Sequence, residues 1–475
     1  MSVRTVNVTF RKQRSMTLPG FMPNIGDAFG QRTGNVLSPG LDFAFGLAGD
    51  SYLDKAKDNG WLLMNDSVAT PSTSSATEDL QLRATLEPVR DLKIDVNASR
   101  TFNRAQSVQF MYEGSPTTRS GSFNMTTISI SSAFEGIGNA NSGYRSKAFD
   151  RFCALIPEMR QRLQQRYTTI PSNPRTPVPS NLVVGQYSGD VLIPAFLEAY
   201  TSSGRSFDIF PALAKLLPNW TLKYGGLSKL PWLADRFKSV NINHSYKSVL
   251  SIGSYSSYSS WTPLRGDMGY VTATDGSLMA SSMYNIPTVS IQESFLPLLG
   301  VDVTLQNNMS VKLEYRTTRN LNLSMTSVQL NESRSNDWVI GMGYKLSDFN
   351  LFGMGGGKKV KKTKSNKGKN NDDKSTNSKT TNNKSGGVNH DLNLRLDLSL
   401  RSQAAITRDI ASGVSSASSG NSALKVSFAA DYTLSRMLTL SAYYDRQTNT
   451  PLLSSSSYPT TTRDFGLAVK FSLTR

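Results

Sequence analysis

Cysteine and histidine are nearly absent. Cys153 is the single cysteine among 475 residues, and His244 and His390 are the only histidines. Disulfide frameworks, Cys-based metal sites and His-rich metal sites are therefore excluded. Long apolar runs are missing too. The longest, 191–197, contains Pro194 and falls far short of the roughly 18 residues that suggest a membrane-spanning helix. Catalytic signatures are equally scarce. No Gly-x-Ser-x-Gly elbow occurs, and two histidines are too few for a hydrolase triad. The run 353–358 has one residue too few between Gly353 and Gly357 for a phosphate-binding loop, and Lys359 stands where Ser or Thr belongs. It reads as a flexible hinge. The expectation is a protein that is not an enzyme, with no catalytic residue, cofactor or metal.

Charge of one sign is in excess, but unevenly. The net charge is +17, and residues 358–384 hold ten Lys against two Asp, so this segment alone contributes +8. The rest is only mildly basic, which argues against a nucleic-acid partner. The Lys-rich stretch, also rich in Asn, Ser and Thr, reads as a disordered loop over 354–388. Either it is a solvated tether, or Lys358, Lys359, Lys361 and Lys362 make a periplasmic electrostatic contact with an acidic partner or anionic lipid.

What the sequence does have is period-two alternation. Phe465, Leu467, Val469 and Phe471 point one way, and Gly466, Ala468, Lys470 and Ser472 point the other. The pattern recurs in Leu392 to Leu400 taken in steps of two, in Leu424, Val426, Phe428, Ala430 and Tyr432, and in Trp338, Ile340, Met342, Tyr344 and Leu346. Strands this long, with charges of both signs on the polar face, suit the wall of a transmembrane barrel. Leu396, Leu398, Val426, Phe428, Leu440, Phe465, Leu467, Val469 and Phe471 are expected to face lipid. Tight turns are expected at 317–320 and 434–437 on the periplasmic side, and longer loops at 331–336, 407–421 and 449–461 outside. The short link 306–309 then lands outside, against that rule, while the Lys-rich loop lands on the periplasmic side.

Earlier strands are patchier. Leu80 to Leu86 and Leu92 to Ala98 alternate, 123–134 is strand-like with a shift of register, and a long strand runs from Val240 to Tyr255. Between 135 and 218 the alternation stops. Phe149, Phe152, Ile156, Met159 and Leu163 recur at helical spacing, with Pro157 expected to kink or split the helix, and 191–200 is a second helical candidate. A lipid-exposed wall cannot hold such a segment, so it is expected in the lumen, as a cap, or on the periplasmic side. His244 shares a face with Tyr246, which suggests packing. Cys153 reads as a small apolar residue, and Trp220, Trp232 and Trp261 as interfacial or packing residues rather than gates.

The expected architecture is all-β: an antiparallel transmembrane β-barrel wall with a helical insertion near 135–218. N-terminal strands occupy 1–134, and C-terminal strands 219–475. Roughly 16 to 19 strands are expected. The opening Met1-Ser2-Val3-Arg4 has no apolar signal-peptide core, so the chain is expected to be the C-terminal part of something longer.

Particular residues resemble a known family. Val191 to Tyr200 is one match, and Pro218, Asn219, Trp220, Tyr224, Gly225, His244 and Tyr246 follow in family order. A third match starts at Ser282 to Asn285 and leads through Phe295, Gly300, Asn307, Asn308, Lys312, Glu314, Tyr315 and Arg316 to Leu321, and the Lys-rich insert before a strand ending in Arg408, Asp409 and Ile410 is a further family-like feature. These stretches resemble the SprA/Sov family, the outer-membrane translocon of type 9 secretion and gliding motility in Bacteroidota. The likeness covers most of the chain from about Asp190 onward. It implies an arc of a very large single-chain barrel that passes folded, secreted cargo proteins. It further implies partners in the lipid bilayer, a smaller barrel at a side opening and a periplasmic plug. The chain departs from the family in lacking its long N-terminal portion and in ending on Arg475. The alternatives are a porin or solute-transport barrel, and a secreted structural or adhesive β protein.

Overall fold

The computed structural model describes residues 2–23, 38–49, 51–65, 68–110, 115–171, 177–201, 206–347, 349, 391–435, 437–453 and 458–471. The Lys-rich loop and its four named lysines lie outside the described residues. The strands are β1 (Ser2–Thr17), β2 (Ser72–Glu87), β3 (Leu92–Val108), β4 (Thr118–Thr126), β5 (Val183–Val184), β6 (Asn219–Tyr224), β7 (Phe237–Ser257), β8 (Thr262–Arg265) and β9 (Met268–Thr272). They continue with β10 (Leu278–Ser282), β11 (Tyr284–Asn285), β12 (Thr288–Leu305), β13 (Met309–Ser324), β14 (Gln329–Leu346), β15 (Leu392–Asp409), β16 (Ser415–Thr433), β17 (Leu438–Pro451) and β18 (Thr460–Phe471). The helices are α1 (Leu41–Ala44), α2 (Tyr52–Asp58), α3 (Ile130–Ala133), α4 (Lys147–Thr168), α5 (Gly189–Tyr200) and α6 (Pro231–Ala234).

One large antiparallel sheet dominates, in the order β1-β2-β3-β4-β7-β12-β13-β14-β15-β16-β17-β18. Sequence neighbours pair along the C-terminal run from β12 to β18, through short links everywhere except between β14 and β15. Among the described residues β1 pairs only with β2, and β18 only with β17, so the wall has two open edges.

One wall strand is made in two pieces. β4 lies between Arg100–Ser107 of β3 and the far half of β7, while β6 continues the same course between Leu92–Asn97 and Ile242–Tyr246. The chain leaves the wall after Thr126 and re-enters at Asn219, and the helical insertion occupies the interval. The break is sealed locally. Asn219 Oδ1 accepts the Ser248 amide at 2.8 Å, Thr127 N–H donates to Ser248 O at 3.1 Å, and Thr126 Oγ1 accepts the Ser99 amide at 3.1 Å.

Several expectations need correction. Residues 317–320 and 331–336 are not turns or loops: β13 and β14 run straight through them in unbroken register, and the reversal lies at 325–328. Polar residues in mid-strand produced the error. A polar run on a wall that extends beyond its apolar zone is still strand. With two reversals removed, the links 306–308 and 434–437 share one end of the wall with the last residue of β14, Leu346, and the first of β15, Leu392. The reversals at 325–328, 410–414 and 452–459 share the other. The loop expected over 407–421 shrinks to 410–414. The stretch 123–134 is no continuous strand either: β4 ends at Thr126 and α3 follows. Pro157 does not split its helix. α4 is one element of 22 residues, because burial of Phe149, Phe152, Ile156, Met159 and Leu163 outweighs the hydrogen bond that proline removes. β1 went unread because its apolar alternation is confined to Val6, Val8 and Phe10, with a register shift between Val3 and Thr5 before it and the polar run 11–15 after it.

Candidate functional site

The register turns the alternation of single strands into two continuous surfaces, because directly paired residues share a face. Val8 pairs with Leu82, Val96 with Trp220, Ile242 with Val301, Val301 with Leu313, Leu313 with Ile340, and Ile340 with Leu398. Leu398 pairs with Val426, Leu396 with Phe428, Phe428 with Tyr444, Tyr444 with Phe465, Leu440 with Val469, and Ala442 with Leu467. All nine residues expected to face lipid, with Leu438 paired to Phe471, fall on this one belt. Among the described residues nothing covers its central part. Trp338, Leu396, Leu400 and Phe428 are 46%, 40%, 44% and 40% exposed despite lying on inner strands. From Trp338 to Leu346 the belt spans nine residues of β14, close to the roughly 9–11 that carry a tilted strand across a bilayer.

An aromatic row marks the upper rim of this belt. Trp220 and Tyr246 lie 4.6 Å apart, Tyr246 and Phe295 4.8 Å, and Tyr315 and Trp338 4.5 Å. Such girdles flank the apolar band of outer-membrane barrels. His244 joins the row beside Trp220, and its Nδ1–H donates to Leu298 O at 2.6 Å. That carbonyl belongs to a bulge in β12, where register shifts between Phe295 and Leu299. Gly300 permits the bulge, since a Cβ there would stand 2.8 Å from Pro297 Cγ.

The opposite face is polar. Arg401 reaches Asp337 with two hydrogen bonds, at 3.0 and 3.1 Å, Asn243 donates to Asp302 at 2.7 Å, and Arg316 pairs with Glu314. A groove of about 650 Å³ on this face carries Asp302, Lys312, Lys345, Arg395, Asp397 and Asp431, three charges of each sign.

The insertion does not lie over the polar face. Leu250, Ile291, Leu321, Leu323 and Leu330, which form one core with α4 and α5, have the same strand parity as Ile242, Val301, Leu313 and Ile340. The insertion therefore covers the apolar face beyond the aromatic row, at the end of the wall away from the 306–308 and 434–437 links. A band of buried charge fastens it there. Arg319 faces Glu293 at 2.7 Å and donates to Ser132 O at 2.6 Å; Tyr246 and Ser129 hydroxyls donate to Glu293 at 2.9 and 2.8 Å. Arg408 Nε and Nη2 donate to Glu332 at 3.2 and 2.9 Å, and its guanidinium also reaches Tyr144 O and Ile137 O of the insertion. Backbone carbonyls of an irregular segment gain charged donors, and the buried ions gain partners.

A second fastening ties the insertion to the small sheet β5-β10-β9-β8. Asp190, in the first turn of α5, accepts the Ser282 amide at 2.7 Å, and burial holds its carboxyl above the usual carboxylate range. Tyr167 donates to Gly269 O at 2.9 Å.

Of the family-like residues, Asn219, Trp220, His244 and Tyr246 converge with Phe295 at the junction of belt and insertion, and Pro218 precedes the re-entry point. Tyr224 and Gly225 lie at the lower end, where the Gly225 amide donates to Asp91 O at 3.0 Å. Tyr315 is on the aromatic row, and Arg316 is on the polar face. Trp261 packs in the small sheet, donating to Ser281 O at 3.0 Å, and Trp232 is exposed by the lower links. Glu293, Arg319, Glu332 and Arg334 went unmarked by sequence reasoning. A signal existed: Glu332 and Arg334 continue the parity of Trp338 and Ile340, so charges occupy an apolar series.

No family model and no curated protein matches the chain. Among solved structures, the beta domain of the Bordetella autotransporter Brka is similar at 6% identity and TM-score 0.23, over 85% of this chain and 92% of that one. An anion-selective porin from Comamonas acidovorans is similar at 9% identity and TM-score 0.11, over 80% of this chain and 82% of that one. Scores this low leave the membrane reading to the chemistry of the wall.

Proposed function

We propose that the chain is an arc of an outer-membrane β-barrel wall, and that the complete wall is a translocon passing folded proteins across the outer membrane. The observation that carries the membrane part is the belt. An uncovered apolar surface running through twelve strands, backed by a charged face, needs a bilayer on one side and water on the other. Short links at one end, with the connection between β14 and β15 as the long exception, and the insertion at the other orient it: the short links periplasmic and the insertion at the cell surface.

The translocon part rests on the family-like residues, and the open edges support it. Unpaired strand edges are untenable in hydrocarbon, so this reading requires further strands beside β1 and β18. The mechanism involves no covalent chemistry. A polar face with balanced charge offers cargo a wet surface with little net attraction, and a smaller barrel and a plug close the passage when idle. Neither a cofactor nor a nucleic-acid partner enters this reading.

The runner-up is a porin or solute-transport barrel, favoured by one observation. β1 and β18 run in opposite directions, so the twelve wall positions satisfy the even count of a self-closing barrel. Depleting the chain in its host separates the two. Folded secreted proteins retained in the periplasm are expected of a translocon. Normal surface export combined with slower uptake of small solutes would leave the porin in place.

A further inference from the structure

The zone above the belt is not covered along the whole wall. The insertion lies on it over the middle strands, and its core draws on Phe102 of β3 but on no residue of β1 or β2. On these first strands the outward rungs are open, and they are basic. Register puts Phe10, Leu80 and Arg100 on one rung, Lys12, Glu78 and Phe102 on the next, and Arg104 one rung higher, all on the face of Val8 and Leu82. Three cations against one carboxylate leave two positive charges over. Glu78 is already taken, since one of its oxygens lies 2.9 Å from both Lys12 Nζ and Arg104 Nη2. The side chains of Lys12 and Arg104 remain 40% and 36% exposed.

Arg100 is the cation without a counter-ion. Its guanidinium stacks over Phe102 and Phe123, 5.5 and 5.1 Å from the ring centres, which holds it in place. The stacking covers Nε, and neither Nη is closed off with it. No acceptor among the described residues takes the Nη1–Nη2 end, which stays open to solvent and has the spacing to grip two oxygens of one oxyanion. The strand sets its height. Arg100 lies four residues beyond Val96, the partner of Trp220 on the aromatic row. That is about 13 Å along the strand, or about 9 Å of height at a tilt near 45°. Acyl chains end near such a row and head groups begin there. Directly below, the apolar belt is uncovered: Phe10 and Val8 are 63% and 62% exposed.

We infer that Arg100, with Lys12 and Arg104 beside it, binds the phosphate of an outer-leaflet membrane lipid whose acyl chains lie on the belt against Phe10 and Leu80. The inference rests on the membrane reading above. A free phosphate shares the oxyanion chemistry but has no chains to hold it against the belt.

The test uses the full chain in vesicles of brominated-chain phosphatidylcholine, with and without brominated-chain phosphatidylglycerol. Leu82→Trp places a reporter on the belt just below the basic rungs, and its fluorescence is obtained by difference from the parent. The anionic lipid should be enriched there about tenfold over the zwitterionic one, and Arg100→Gln should reduce this to about twofold, the effect of one basic residue at a membrane surface. Arg83→Gln removes the same charge from the opposite face of β2, where Arg83 pairs with Asn7 and Asn97, and should leave the preference unchanged. Should Leu82→Trp not assemble, the immobilised fractions of spin-labelled forms of the two lipids give the same comparison on the parent and the two arginine variants. Equal quenching by both lipids would overturn the inference and leave the belt standing. A preference lowered equally by Arg83→Gln and Arg100→Gln would reduce it to net charge and overturn the site. No quenching by either lipid would overturn the belt, and the inference with it. Inorganic phosphate that stabilises the parent but not Arg100→Gln in detergent, with no lipid preference in vesicles, would assign the site to a free oxyanion and overturn the lipid.

Discussion

Arg408 on β15 and Glu332 on β14 meet in the interior with two hydrogen bonds to one carboxylate oxygen, their side chains 0% and 3% exposed. The same guanidinium holds two carbonyls of the insertion, so this pair joins wall and insertion. Glu332→Gln leaves Arg408 buried without its counter-charge and should cost roughly 3–5 kcal/mol. Denaturant unfolding measures the loss. Limited proteolysis should show cleavage within 135–218 before the wall strands are cut. A variant as stable and as protease-resistant as the parent would mean that the pair does not fasten the insertion.

The belt and the polar face predict opposite tolerance at neighbouring positions. Leu396→Arg puts a cation on the uncovered apolar face and should cost roughly 2–4 kcal/mol at mid-belt, and Leu440→Arg should behave alike. Arg395→Gln on the other face should leave assembly unchanged. The amount of folded protein in the outer-membrane fraction reads out all three. Tolerance of arginine at both belt positions would remove the lipid-facing assignment.

Gly300 sits where the β12 bulge folds back on Pro297, with 2.8 Å between a would-be Cβ and the ring. Gly300→Ala should cost about 1–3 kcal/mol through overpacking. It should also disturb the His244 hydrogen bond to Leu298 O, visible as altered Trp220 fluorescence beside that imidazole. Thermal unfolding of the variant provides the energy, and an unchanged midpoint would show that the bulge relaxes freely.

Cys153 is half-buried on α4, and burial raises its thiol from 9.0 to about 11. The folded state therefore keeps a proton that the unfolded chain releases. This contribution to stability is complete below pH 9 and is lost as pH rises towards about 11. Thiol-reactive reagents should label Cys153 slowly at pH 8 in the folded protein and rapidly once the insertion is opened by Glu332→Gln. Fast labelling of the intact parent at pH 8 would contradict the burial.

Much of the wall is legible in single strands, because a strand's two faces meet different solvents and the side chains record that difference every second residue. Leu392 to Leu400 and Phe465 to Phe471 announce a belt without any partner in view. The mid-strand positions at 317–320 and 331–336 mislead for the same reason. There the wall leaves the apolar zone, both faces carry polar residues, and a local pattern cannot tell strand from turn. The helical insertion is legible from the spacing of Phe149, Phe152, Ile156 and Met159, but its place is not. Helical periodicity says which side of a helix is buried, not which face of a distant sheet buries it.

The sequence by itself determined the local elements, the two-faced character of the strands, the basic excess at 358–384 and the scarcity of catalytic and metal-binding residues. Each of these depends on neighbours a few positions apart. Tertiary structure alone decided the rest. It joined β4 and β6 into one broken strand and aligned twelve apolar stripes into a single belt. It placed the insertion on the belt's own face, and it brought Glu293, Arg319, Glu332, Arg334 and Arg408 into one band. Those outcomes depend on register between residues tens to hundreds of positions apart. Cross-strand pairing sets that register, and no local pattern encodes it.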